Sequence, residues 1–159
     1  MHYVYEAEIE YNEEDSCWYS TVPVFNGEVY ADGRTVEEVS KNTAEALSLT
    51  IAYYVDEGLR LPKPVFHHPP QSVISVDVTD EFIAVSKCLT IKQAAEELEV
   101  TPGRICQLLD AGLLETYMHG DTRMVTIASI NERKLNKPAP HRPKLTVIPG
   151  ATAQELLEG

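Results

Sequence analysis

A short run of residues, 101–107, has the side-chain types that suit a DNA groove. Arg104 can bond the edge of a guanine through two parallel hydrogen bonds, and Gln107 can bond adenine in the same way. Because residues three apart share one face of a helix, both side chains would point in the same direction. Thr101 and Gly103 belong to the same outer face, where the first part of a DNA-reading helix meets base edges. The pattern predicts contacts with double-stranded DNA.

The elements that would position this run are two short helices joined by a tight turn, over residues 90–114. Thr90 and Gln93 have the spacing of a capping box for the first helix, and Thr101 is a capping residue for the second. Gly112 suits a left-handed end of the second helix. Apolar residues at helical spacing give each helix an inner face: Ile91, Ala94, Ala95 and Leu98, then Ile105, Leu108 and Leu109. A helix-turn-helix is predicted.

Two β-prone runs follow, TYMHGDTRMVTI, and they predict a hairpin. Its residues His119, Thr122 and Arg123 are placed to meet phosphate or the minor groove. A third helix is predicted from Ala128 to Leu135. Together these elements predict a compact DNA-binding unit.

The stretch resembles the winged helix-turn-helix of excisionases and of the N-terminus of MerR-type regulators. In that family the pattern T-[I/V]-x-x-A-A-x-x-L-x-V-[S/T]-x-x-x-[V/I]-x-x-L-[I/L]-x-x-G-L-L leads into a hairpin, and TIKQAAEELEVTPGRICQLLDAGLL has nearly every anchor. Ala128 departs from the family, which commonly has proline there. The resemblance implies that the second helix enters the major groove.

Charge is distributed unevenly along the chain. Residues 1–86 contain four Lys and Arg against sixteen Asp and Glu, whereas residues 87–144 contain nine against seven. The net charge of −12 therefore belongs to the N-terminal half, and the second half is mildly basic. This asymmetry predicts two modules with different partners.

The N-terminal half has the order β-β-β-α-β, which predicts an α+β domain whose helix covers one face of the sheet. Thr35 is predicted to cap the helix with Glu38 as its reciprocal partner, and Gly58 is predicted to end it. The predicted strands are 3–11, 17–22, 28–31 and 73–78. The predicted organisation is a domain at 1–78, a linker at 79–87, a DNA-binding domain at 88–137 and a proline-rich flexible tail at 138–159.

Residues 3–78 resemble the HicB antitoxin family. That family has an alternating strand, an acidic turn, an aromatic strand, then G-x-T-x-E-E-A with a long helix, and G-x-x-[I/L]-P-x-P at its end. The counterparts are Gly33-Arg34-Thr35, Glu37-Glu38, a helix to Glu57, and Gly58 through Pro64. The run VPVFNGE departs from the usual F-P-D-L-P-G turn.

This resemblance implies a partial RNase H-like fold that binds and masks a HicA-like toxin, a small basic RNA-cleaving protein. The acidic N-terminal half would attract such a partner. The same acidity also fits a domain that is merely kept in solution by its charge. The alternative to an antitoxin is an orphan or phage-type transcriptional regulator, similar to an excisionase, that has no toxin partner.

A hydrolase would need carboxylates that converge on one point. Glu6, Glu8 and Glu10 share a strand face but are spread along it, so a solvated face is predicted. No Walker loop, G-x-S-x-G or H-E-x-x-H motif occurs. The chain is therefore predicted not to be an enzyme, with an RNase H-like hydrolase as the weakest alternative.

No metal and no cofactor are predicted. Cys17, Cys88 and Cys106 are widely separated, and no C-x-x-C or H-x-x-x-H pair occurs. His67 and His68 precede two prolines and are predicted to be loop residues that make a poor chelate.

The sequence has no apolar run near the roughly 18 residues that span a bilayer, and MHYVYEAEIEY has no signal-peptide pattern. A cytoplasmic protein without membrane contact is predicted. Its expected partners are operator DNA, a HicA-like toxin and further copies of itself, as a homodimer or homotetramer, because operators usually bind paired modules.

Overall fold

The protein has a mixed α+β architecture, seen in a computed structural model that describes residues 1–136. The predicted tail, and Lys137 at the end of the predicted DNA-binding domain, lie outside the described residues. The elements in chain order are β1 His2–Asn12, β2 Cys17–Thr21, a 3-10 turn Pro23–Phe25, β3 Tyr30–Gly33, α1 Val36–Asp56, β4 Ser72–Asp77, α2 Asp80–Ser86, β5 Cys88–Thr90, α3 Ile91–Leu98, α4 Pro102–Asp110, β6 Thr116–His119, β7 Thr122–Thr126 and α5 Ile127–Leu135.

The first sheet is antiparallel throughout and has the strand order β3-β2-β1-β4. Alternation along β1 turns Tyr5 and Ala7 toward the helix α1, where both are buried. They belong to one core with Leu47 and Ile51 of α1 and with Ile74 of β4. The predicted order of strands and helix is therefore the observed order, with α1 on one face of the sheet.

The start of α1 is fixed by a cap and by a close approach to β3. Thr35 Oγ1 accepts the Glu38 N–H at 3.1 Å, as predicted. The reciprocal bond is different from the prediction, because the Glu38 carboxylate accepts the N–H of Arg34 at 2.8 Å. A Cβ on Gly33 would lie 2.5 Å from the backbone nitrogen of Val39, so only glycine allows β3 and α1 to approach this closely.

The second sheet has the order β5-β7-β6 and packs with α3 and α5, and α4 packs against α3. A capping box of Thr90 and Gln93 begins α3. The turn to α4 is made by Glu99, whose φ of 55° is left-handed. Residues of this second core are Ala94, Ala95, Ile105, Leu108, Leu109, Leu114, Val125 and Ile130. The small side chains of Ala94 and Ala95 allow α3 and α4 to cross closely.

The segment predicted as a linker contains the short helix α2. Thr79 Oγ1 caps it by accepting the Phe82 N–H at 3.1 Å, and Ile83 is buried in the first core. The three-residue strand β5 was not predicted either, because its pairing partner β7 lies far along the chain. No helix within residues 1–136 is long and apolar enough to cross a membrane.

Candidate nucleic-acid interface

The outer face of α4 presents two predicted contact residues side by side. Arg104 Nη1 donates a hydrogen bond to Gln107 Oε1 at 3.0 Å, and both side chains are exposed. Gly103 is exposed as well, and a Cβ placed there would meet nothing within 4 Å. Thr101 caps the N-terminus of α4, since its Oγ1 accepts the Arg104 N–H at 3.3 Å. This arrangement places one cation and one amide on a solvent-facing surface.

The rotation of α4 about its own axis is set by its apolar residues. Ile105 is fully buried, and Leu108 and Leu109 are nearly so. With these three held in the second core, helical geometry directs Arg104 and Gln107 outward. The predicted inner face of α4 is confirmed.

Further basic residues lie beside Arg104. A depression of about 380 Å³ is lined by Arg104, by Arg133 and Lys134 of α5, and by Glu97 and Glu99. Lys134 forms an ion pair with Glu97. The surface next to α4 is therefore basic with acidic partners interspersed.

The hairpin β6–β7 holds the other predicted contacts. Thr122 is exposed at its turn. Arg123 Nη1 donates to Asp110 Oδ1 at 2.8 Å, and His119 Nδ1 lies 3.1 Å from Glu81 Oε1. Both basic side chains of the hairpin thus already contact a carboxylate, an arrangement that the sequence did not predict.

Glu6 departs from the solvated face that was predicted for the glutamates of β1. The residue is only 5% exposed, and its carboxylate accepts the backbone N–H of His67 at 2.6 Å and that of Gln71 at 2.8 Å. His67 Nδ1 lies 3.1 Å from the same carboxylate. The N–H bonds from Gln71 and His67 lower the pKa of Glu6 below its ordinary value of 4.5, against the opposing effect of burial. Glu6 therefore anchors the loop between α1 and β4.

Replacement of Glu6 with glutamine is expected to lower the melting temperature at about pH 7, with the difference from the parent shrinking as the pH falls below about 4.5. A carboxyl whose folded pKa is lowered contributes stability above its unfolded pKa and loses it as the pH falls through the folded value. Glutamine also replaces one of the two accepting oxygens with an amide NH2 group, which would point at a backbone N–H that needs an acceptor. Thermal unfolding followed by circular dichroism across this pH range measures the effect.

The control for this experiment is Glu8→Gln, which removes an exposed carboxylate from the same strand face. It is expected to melt close to the parent at both ends of the range. A Glu6→Gln deficit that is the same at all pH values would contradict the proposed role of the ionised carboxylate.

Within residues 1–136, no three His, Cys, Asp or Glu side chains gather as a group that could hold a metal ion. Cys17, Cys88 and Cys106 form no disulfide. Burial raises the pKa of the Cys88 thiol above its ordinary value.

The described residues thus form a mixed α+β protein with a four-stranded antiparallel sheet and five helices. No protein-family model, no curated protein and no solved structure matches the chain.

Proposed function

We propose that the chain is a transcriptional regulator that reads operator DNA with α4. The observation that carries this proposal is the exposed Arg104–Gln107 pair on the outer face of α4. In the proposal, α3 and α4 are a helix-turn-helix and the hairpin β6–β7 is its wing. Arg104 bonds guanine and Gln107 bonds adenine, each contact contributing about 1–3 kcal/mol of discrimination.

In the proposal, basic residues of neighbouring helices contact the phosphate backbone of the duplex. Arg133 of α5 lines the depression next to Arg104, and Lys92 is exposed on α3. Such contacts add affinity without sequence information and make binding depend on salt. Two copies of the chain, or four, present paired α4 helices to an operator with two half-sites.

The N-terminal half is proposed to be the antitoxin part of a HicAB-type system. Its partial RNase H-like domain would bind and mask a HicA-like RNA-cleaving toxin rather than catalyse a reaction itself, with no cofactor. The charge supports this assignment, because the acidic excess of the chain lies within residues 1–86 and accelerates encounter with a basic protein.

Two measurements on the purified full chain test the proposal. The first is footprinting and fluorescence anisotropy on DNA from upstream of its own reading frame, between about 50 and 200 mM salt. The second is co-purification with the product of the neighbouring reading frame, which is expected to be a small basic protein. Footprinting without co-purification would assign an orphan or mobile-element regulator, and the absence of any footprint would overturn the DNA-binding role.

Replacement of Asp110 with asparagine is expected to raise DNA affinity several-fold and to steepen the dependence of log K on log salt by about one. The substitution replaces the carboxylate partner of Arg123 with a neutral amide, which weakens that contact and leaves the guanidinium charge available for a phosphate. It also removes a negative charge from the C-terminal end of α4, where the helix dipole disfavours negative charge. Anisotropy titrations at several salt concentrations measure both quantities.

Glu45→Gln is the matched control, because Glu45 is exposed on α1 and the charge change is the same. It is expected to alter DNA affinity much less. Equal effects of the two substitutions would remove Arg123 and the hairpin from the proposed interface.

A further inference from the structure

The face of the first sheet that points away from α1 is a surface that the DNA-binding role does not use. The register places Glu10 opposite Tyr19, and Glu8 opposite Thr21. This open face is made of His2, Val4, Glu6, Glu8, Glu10, Tyr19, Thr21, Tyr30, Asp32, Val73, Ser75 and Asp77. Most of these side chains are exposed.

The exposed carboxylates of the open face are Glu8 and Glu10 of β1, Asp32 of β3 and Asp77 of β4, and none of the residues of the face is Lys or Arg. Asp77 Oδ1 lies 2.9 Å from His2 Nδ1, so among the described residues the unpaired exposed carboxylates of this face lie on β1 and β3. Glu6 is closed off by the loop that it anchors. Clustered charge of one sign, here around Glu8 and Glu10, attracts a partner of the opposite sign and speeds its encounter.

Apolar and aromatic side chains accompany these carboxylates. The rings of Tyr19 and Tyr30 stack with centroids 5.8 Å apart, and Tyr30 is 51% exposed. Val73 is 49% exposed on the same face. Exposed tyrosine and valine between carboxylates are suited to protein contacts, since tyrosine is enriched in interfaces and its ring attracts cations.

Two adjoining depressions meet at Glu8. One of about 230 Å³ is lined by Glu8 and Glu6 with Pro23, Val24, Val65 and His67. The other, of about 100 Å³, is lined by Glu8 and Glu10 with Tyr19, Ser20 and Thr21. The apolar walls of the first and the paired glutamates of the second fit a long side chain with a charged end, as in arginine.

We propose that the open face is the docking surface for a basic protein, which places an arginine or lysine between Glu8 and Glu10 beside Tyr19. This inference rests on the proposed antitoxin role and names the surface that would carry it. Nucleic acid is repelled by the carboxylates. A second copy of this face carries the same negative charge, so self-association through it is disfavoured.

The test compares two double variants of the full chain, Glu8→Gln/Glu10→Gln and Glu37→Gln/Glu45→Gln. Both remove two negative charges, the first pair from the open face and the second from the exposed side of α1. The probe is the purified basic product of the neighbouring reading frame, titrated by calorimetry at low and high salt. The open-face variant is expected to bind at least about tenfold more weakly, and the α1 variant within about twofold of the parent.

The possible failures are distinguishable. A parent chain that does not bind the probe overturns both the antitoxin role and this inference. If the open-face variant binds the probe as tightly as the parent chain does, the inference alone is overturned. If sedimentation shows that only the open-face variant changes its oligomeric state while probe binding is unaltered, the face belongs to a second copy and the inference is overturned. Melting temperature and operator affinity, which are expected to match the parent, verify that the variants are folded.

Discussion

Replacement of Arg104 with alanine is expected to weaken specific operator binding about tenfold or more, while the melting temperature stays that of the parent. The guanidinium is exposed, and its only hydrogen bond within the described residues is to Gln107. The cap of α4 uses the backbone N–H of residue 104, which alanine retains. Fluorescence anisotropy with the footprinted operator and with a scrambled duplex of equal length measures the change.

The loss should be confined to the operator duplex, because Arg104 is assigned to base edges rather than to phosphate. Arg60→Ala provides the control, since Arg60 is an exposed arginine near the end of α1 and far from α4 in sequence. It is expected to leave both duplexes unaffected. An equal loss on the operator and the scrambled duplex would reassign Arg104 to non-specific phosphate contact.

The second large effect is expected from Ile105→Ala, one residue further along α4. Ile105 is fully buried in the core that α4 shares with Ala95 and Val125. Truncating such a side chain costs about 2–5 kcal/mol, because transfer energy is lost and a cavity remains. The total stability of a small domain is on the order of 5 kcal/mol. We therefore expect the variant to lose operator binding near physiological temperature through unfolding of this region.

Native-state amide hydrogen exchange separates this mechanism from the loss of a contact. Protection in α3, α4 and β7 is expected to fall in Ile105→Ala, and protection in Arg104→Ala is expected to equal that of the parent. Leu113→Ala is the control for side-chain truncation, because Leu113 is 55% exposed just beyond α4. If Leu113→Ala were as destabilising as Ile105→Ala, the assignment of the inner face of α4 would be contradicted.

The helix ends were predictable because their signals are local. Thr90 with Gln93, Thr101 with residue 104, and Gly112 with its left-handed φ of 69° all act within a few residues of chain. Hydrophobic spacing likewise identified the buried side of α4, and so which side would face solvent. These interactions depend little on the rest of the fold.

The missed features depend on residues that are far apart in the chain. Glu6 accepts hydrogen bonds from His67 and Gln71, which are more than sixty positions away in the chain. Alternation along β1 alone therefore predicts a solvent-exposed side chain. Asp110 meets Arg123 only because the hairpin folds back beside the end of α4. Glu81 contacts His119 from α2, a short helix within the segment predicted as a linker. Tertiary contacts of this kind leave no periodic pattern in the sequence.

The proposed reading of DNA by α4 is tested most directly by a double-mutant cycle between Arg104→Ala and single 7-deazaguanine substitutions in the operator. That base lacks the N7 acceptor to which an arginine fork bonds. At one guanine the parent is expected to lose about tenfold in affinity on substitution, while Arg104→Ala loses nothing further. Independent, additive losses at every guanine of the footprint would contradict the proposal that Arg104 bonds a guanine edge.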